Sequence, residues 1–397
     1  MLNKQKDEIQ QKALQKWIEA GKKGTCEIIT GLGKTFISLH ALYTMPRDDK
    51  VHLFLAETVD RKKDLIDDIN KYNKLFDVNV TEDYKLKFLC YQSAYKLKGH
   101  KYGLVIADEI HDSLSPAYSQ FYIRNYYDAI IGLSATVDKA KKYTIGGRLI
   151  TKGDMLRSIA PICFKYSINQ GQKEETARKL KVYIIKHKLD NINKNIQAGS
   201  KKKRFYQTEL AAYTYWDKVH KQAWFISDEH DRALKIKITA TKRSQILYNL
   251  ESKVVVIKKL LSNLKSQTII FGNSLESLFK ITQNVVSSRN SDAMNERIRF
   301  AFEQGNINVI GSFKKLKQGA NLPGLDNCVI MSYYSTDKDF IQRIGRLRNN
   351  GAIGYVFILL TENTQEEVWF SKMMEGIDNL DLTYFNNIEE CLISLKN

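Results

Sequence analysis

The chain has 397 residues, 43% of them hydrophobic, and no apolar run approaches the ~18–20 residues of a membrane span, so a membrane protein is excluded and two soluble globular domains are expected. Sixty-two Lys and Arg stand against 44 Asp and Glu, leaving a formal charge of +18, a surplus that favours a polyanionic partner such as nucleic acid. Five widely spaced cysteines, Cys26, Cys90, Cys163, Cys328 and Cys391, form no CxxC pair and have no His at ligand spacing, which excludes a disulfide framework and a zinc site.

The start, MLNKQKDEIQQKALQKW, is charged and lacks the apolar core of a secretory signal, so an intracellular protein is expected, in cytoplasm or nucleoid. Short apolar runs bounded by turns then recur: CEIIT (26–30), VHLFLAE (51–57), KFLCY (87–91), GLVIADE (103–109) and AIIGLSAT (129–136). With helix-period stretches between them, these predict an open parallel α/β sheet over residues 1–165.

Between the first run and the helical stretch FISLHALYT lies TGLGKT (30–35), the strand–turn–helix setting of a phosphate loop. The longer GxxxxGK pattern fails because Ile28 stands where its first glycine should be, so the loop is the shorter form. Gly31 and Gly33 let the backbone N–H groups approach phosphates. Lys34 reaches the terminal phosphates, and Thr35 offers a hydroxyl to Mg2+. The run LVIADE ends in adjacent carboxylates on what should be a neighbouring strand: Asp108 suits the metal and Glu109 the attacking water. The aromatic cluster FYIRNYY (121–127) reads better as packing than as a base-stacking platform.

From Lys188 to Leu264 prolines are absent and helical patterns dominate, predicting a mostly helical insertion over about 190–262, entered through the basic run Lys201–Arg204. A second set of strands, KVYIIKH (181–187), QTIIFGN (267–273), INVIGS (307–312), NCVIMSY (327–333) and GYVFILL (354–360), places a second α/β domain over 166–397.

GLGKT, DEIH (108–111) and LSAT (133–136), in that order, resemble motifs I, II and III of superfamily 2 helicases. KQGANLP (317–323) resembles motif V and QRIGR (342–346) motif VI, while QQKALQKW (10–17) is similar to the stretch preceding motif I in the XPB-like and UvsW-like branch. The resemblance covers nearly the whole chain and implies two RecA-like domains with ATP and Mg2+ bound in their cleft. It implies Gln10 on adenine, and Thr30, Gly31, Leu32, Gly33, Lys34 and Thr35 on the phosphates. Asp108 and Glu109 take metal and water. His111, Ser134, Thr136, Gly319 and Asn321 couple nucleotide to nucleic acid. Gln342 and Arg343 approach the γ-phosphate, and Arg346 is the arginine finger. Backbone contacts to nucleic acid fall to Arg61, Lys62, Ser93, Asn273, Ser312 and Lys314.

This sequence departs from the family at Asn321, where motif V carries an acidic residue, and at Asn349, where motif VI carries a further Arg that only Arg348 could replace. The implied activity is an ATP-dependent helicase or translocase acting on DNA, forked or branched, as a monomer. An RNA helicase, a duplex translocase without unwinding and a binding protein with a decayed ATPase remain open. Such a minimal motor suits a virus or mobile element.

Overall fold

The computed structural model describes residues 2–135, 137, 139–200, 203–313, 324–332, 340, 343–345, 347, 352–374 and 380–396. The chain divides into two compact units, Met1–Arg178 and Lys179–Asn397.

In the first unit the elements run α1 (Leu2–Glu19), β1 (Lys23–Ile28), α2 (Lys34–Leu42), β2 (Val51–Ala56), α3 (Asp60–Phe76), α4 (Val80–Asp83), β3 (Lys85–Cys90), α5 (Tyr91–Ala94), β4 (Lys101–Asp108), α6 (Gln120–Arg124), β5 (Tyr126–Ser134), the hairpin β6 (Lys142–Ile145) and β7 (Arg148–Thr151), α7 (Lys152–Ile159), β8 (Ile162–Tyr166) and α8 (Ile168–Lys173). Six strands form a parallel sheet in the order β3-β2-β4-β5-β1-β8. Strand residues alternate between two buried clusters, Leu104 and Ile106 joining one and Val105 and Ala107 the other. Both faces are covered, which is why these strands read as unbroken apolar runs. The aromatic cluster is split: Phe121 and Tyr122 of α6 are buried, and Tyr126 opens β5.

The unit extends beyond residue 165 because β8 completes the sheet against β1 and α8 packs back on it, with Gly171 lying against Ile29. In addition, β5 lies between β1 and β4, so the two motif-bearing strands are not neighbours as expected but flank a third.

The second unit comprises β9 (Leu180–His187), the hairpin β10 (Ile196–Ser200) and β11 (Lys203–Gln207), α9 (Glu209–Ala223), α10 (Glu229–Tyr248), α11 (Glu251–Leu261), β12 (Thr268–Phe271), α12 (Leu275–Ile281), β13 (Val285–Ser287), α13 (Asp292–Glu303), β14 (Val309–Phe313), β15 (Asn327–Ile330), β16 (Gly354–Thr361), α14 (Gln365–Met374), β17 (Asp381–Phe385) and α15 (Ile388–Lys396), numbered over the described residues. Its parallel sheet runs β13-β14-β12-β15-β16-β9-β17.

The segment expected to be a helical insertion differs at both ends. It opens with an antiparallel hairpin, Ile196 pairing with Gln207 and Ser200 with Lys203. It stops short of α11, whose Val254, Ile257 and Leu260 pack under the sheet on Tyr183, Ile185 and Phe357. Helices α9 and α10 do form the body of the insertion. Thr208 and Asp228 cap them by accepting from the backbone N–H of Ala211 and Asp231. Arg243 of α10 ties them together and down, donating to Asp217 at 2.6 Å and to Gln365 at 2.9 Å.

His187, at the end of β9, is buried, and burial first, then the Lys253 ammonium, push its imidazole down to about 3. The unfolded chain carries a histidine near about 6.5, so it takes up a proton that the folded domain refuses. The His187 contribution to stability is therefore whole above about pH 6.5 and is lost as pH falls from there toward 3. Denaturant unfolding across that window is expected to show a pH slope steeper in the wild type than in His187→Gln by close to one proton. Equal slopes would exclude the residue as the cause. Among the described residues no helix is long and apolar enough to cross a membrane.

Candidate active site

The chemistry-bearing residues of the first unit gather at the C-terminal edge of β1, β5 and β4, where ligands collect in open parallel sheets. After β1 the chain turns through Gly31, with φ +94°, and Gly33, with φ +75° and ψ 48°, before α2 begins at Lys34. Gly33 cannot be replaced cheaply. Its conformation is left-handed, and a Cβ there would lie 2.6 Å from Gln10 Nε2. Leu32 is buried beneath the loop, while Thr30 and Gly31 are partly exposed. No side chain caps the N-terminus of α2, so its first N–H groups suit an anion.

Gln10 explains the Q-x-x-A-L-x-x-W stretch. Gln10, Ala13 and Trp17 lie at i, i+3 and i+7 on one buried face of α1. Gln10 Nε2 donates to Leu32 O at 2.9 Å and Trp17 Nε1 to Ile130 O at 2.8 Å, so α1 braces the phosphate loop against β5.

Asp108 ends β4 buried, and Tyr91, unsingled by the sequence reading, donates to its carbonyl at 2.8 Å. Glu109 follows in the left-handed region at φ +48°, an uncommon conformation for a non-glycine residue. That turn aims its carboxylate at Lys34, whose Nζ lies 3.1 Å from Oε1. Burial raises the Glu109 carboxyl, but the Lys34 ammonium and His111 outweigh it, and the group sits below the usual carboxylate range. Its Oε2 is buried with no hydrogen-bond partner among the described residues, an acceptor position that fits an attacking water.

His111 is buried, its Nδ1 2.7 Å from Ser134 Oγ at the end of β5. Its Nε2 lies 3.2 Å from Asp112 Oδ1 without hydrogen-bond alignment, and Lys152 holds its carbonyl at 2.7 Å. Because β5 is the middle strand, Ser134 falls between the phosphate loop and the carboxylates. Gly132 allows this closeness, since a Cβ there would lie 2.4 Å from Thr25 Oγ1 and 2.8 Å from Ile110 Cδ1.

Arg61 is not on an open surface. Its Nε donates to Asp108 Oδ2 at 2.6 Å and its NH2 to Thr35 Oγ1 at 2.7 Å, so one guanidinium joins the two side chains expected to hold Mg2+. Both oxygens converge on a single cationic group, and the pair fits a divalent ion by position and donor chemistry. The guanidinium packs over the Phe54 ring, 5.8 Å from its centroid. Burial by itself would favour loss of its charge, but Asp108, Asp68 and Asp64 outweigh this and hold the proton more firmly than usual.

The other expected contacts scatter. Lys62 and Ser93 are exposed; Asn273 is half-buried. Ser312 is buried within β14. Arg343 is buried, donates to Ser332 O at 2.6 Å and lies over Phe271. Thr136, Lys314, Gly319, Asn321, Gln342, Arg346 and Arg348 lie outside the described residues.

Residues 3–139 match the family model for the type III restriction enzyme res subunit, and residues 251–351 that for the helicase conserved C-terminal domain. The curated relative DNA 3'-5' translocase XPB2 of Sulfurisphaera tokodaii is 25% identical over 390 residues, spanning 90% of this chain and 82% of the relative. Among solved structures, the ATP-dependent Type ISP restriction-modification enzyme LlaBIII bound to DNA is similar with a TM-score of 0.61 at 14% identity, over 96% of this chain and only 31% of that one. S. cerevisiae Dbp5 bound to RNA and ADP BeF3 is similar with a TM-score of 0.61 at 12% identity, over 98% of this chain and 92% of that one. These likenesses and the two parallel sheets make the fold a tandem of RecA-like domains.

Proposed function

We propose, from the premise that the chain belongs to the superfamily 2 helicases, that it is an ATP-driven DNA motor coupling hydrolysis to translocation or strand separation. The observation that carries this reading is the convergence of Lys34, Thr35, Asp108 and Glu109 at one sheet edge, with Glu109 Oε2 buried, 3.4 Å from His111 Nδ1 and without a hydrogen-bond partner among the described residues. In this reading Lys34 leaves Glu109 for the β- and γ-phosphates. Glu109 orients the attacking water and accepts its proton, and the left-handed turn fixes its aim. Thr35 and Asp108 would hold Mg2+, which supplies charge neutralisation at the phosphates. Gln10 sets the loop on which adenine recognition depends. His111 and Ser134 pass the state of the site to β5. Gln342 and Arg346 remain proposed from motif VI, with Arg346 as the transition-state cation.

The polyanion is DNA in this proposal, because the curated relative carries the name of a DNA translocase. The insertion adds to the case. Twelve of the Lys and Arg residues fall within residues 190–250 against six Asp and Glu, and Phe205, Tyr206, Trp224 and Phe225 are exposed among them. Backbone contacts by Lys62, Ser93, Asn273 and Lys314 complete the reading, Ser312 being buried within β14 and so withdrawn from it, and a monomeric motor in an intracellular compartment belongs to the same proposal. A second reading, an RNA helicase, is favoured by the likeness to a structure bound to RNA.

Steady-state ATPase activity with single-stranded, forked and duplex DNA and matched RNA tests both. Stimulation by DNA, strongest on forks and falling steeply with salt, is expected. Stimulation by RNA alone would replace the first reading with the second, and no turnover with any polymer would overturn the motor itself.

A further inference from the structure

Arg61 is the second residue of α3, the helix that follows β2, and from there its side chain reaches both Asp108 at the end of β4 and Thr35 at the start of α2. Its side chain is 16% exposed, and its planar fork satisfies a carboxylate and a hydroxyl at once, at 2.6 and 2.7 Å. A pairing needed only to neutralise Asp108 would not also require Thr35. The Thr35 oxygen that accepts from Arg61 is the atom a divalent cation would use, and two positive groups cannot share so small a site. The far side of the guanidinium already meets other acids. NH1 lies 3.9 Å from Asp64 Oδ2 and 3.6 Å from Asp68 Oδ2, one and two turns along the same face of α3.

We propose that Arg61 is an internal competitor for the divalent cation, holding Thr35 and Asp108 until metal and nucleotide arrive together and then resting on Asp64 and Asp68. The inference builds on the nucleotide-site reading above and assigns a positioning role that motif spacing does not contain. Its consequence is a site that keeps its buried carboxylate neutralised without metal, and that answers to metal only when nucleotide phosphates help displace the arginine. An arginine suits this role better than a lysine because one rigid group covers both oxygens.

The test measures binding of fluorescent N-methylanthraniloyl ADP to the full chain as free Mg2+ is raised from chelated to millimolar, with no nucleic acid and no turnover. Arg61→Leu is expected to lower the half-saturating Mg2+ about tenfold, within the range usual for coupled sites. Asp64→Asn with Asp68→Asn, which leaves Asp108 intact, is expected to raise it several-fold by removing the resting place. The opposite signs separate competition from general damage to the fold. If Arg61→Leu does not fold, Arg61→Lys, which keeps the charge and loses the fork, is expected to lower the requirement less than tenfold but measurably. A half-saturating Mg2+ unchanged in the acid double variant and in either arginine variant overturns the inference alone. Absence of ADP binding by the wild type at every Mg2+ concentration overturns the nucleotide-site reading with it.

Discussion

Glu109→Gln is expected to reduce ATP turnover by about 10³-fold while leaving nucleotide affinity within a few-fold of the wild type. The substitution preserves the size of the side chain, its left-handed backbone and an oxygen that can still accept from Lys34 at the 3.1 Å now seen. What it removes is the negative charge and basicity on a group that Lys34 and His111 hold ionised despite burial. A positioned general base contributes about 10²–10⁴ to a rate, and an amide cannot accept the proton of the attacking water. Lys34→Ala should behave differently, because it removes a phosphate ligand and strands the Glu109 carboxylate. It is expected to lose binding and turnover together. Single-turnover hydrolysis alongside equilibrium nucleotide binding separates the two. Retained hydrolysis in Glu109→Gln would sink its assignment as the base.

Lys253→Ala is expected to destabilise the second domain by about 3–5 kcal/mol. Lys253 of α11 and Glu366 of α14 are both fully buried, 2.5 Å apart, and Lys253 Nζ also donates to Met331 O at 3.1 Å. Glu366 is engaged on its other side by the N–H of Thr361 at 3.1 Å and its hydroxyl at 2.7 Å. Removing the lysine strands a charged carboxylate inside the domain, and that penalty dominates over any direct value of the pair. Lys253→Met with Glu366→Gln should therefore be more stable than Lys253→Met alone, because the amide still accepts from Thr361 and no charge is left behind. Denaturant midpoints of the wild type, both single variants and the double variant form the cycle that checks this. A double variant as unstable as the sum of its singles would show that the pair is not coupled. The same charge accounts for part of the depressed His187 imidazole, so Lys253→Met should also ease the pH dependence assigned to that histidine.

Much of this protein was legible before any coordinates. Runs such as LVIAD and VFILL are long and unbroken because central parallel strands are covered on both faces, so ten strands could be read from apolar content alone. GLGKT and DEIH could be read because phosphate and metal chemistry demand particular residue types at short spacing, which local sequence carries in full. The stretch QQKALQKW stood out only through its resemblance to the family, and that Gln10, Ala13 and Trp17 share one buried face of α1 came from the structure.

The rest depended on contacts between residues far apart in the chain. The strands of the two parallel sheets that went unread, β8, β13 and β17, are sheet edges only three to five residues long that carry no distinctive run, and the hairpins β6-β7 and β10-β11 went unread as well. The order that inserts β5 between β1 and β4 is set by crossovers, and no segment encodes it locally. Arg61 had the composition of a nucleic-acid contact in ETVDRKK, yet a bond to Asp108, 47 positions away, turns it inward. Lys152 on His111 and Arg343 on Ser332 are the same kind of surprise. Residue type and period determined which elements and which chemistry this chain holds. Only the tertiary structure decided which charges meet, because a buried ion pair is chosen by the low-dielectric surroundings that folding brings around it.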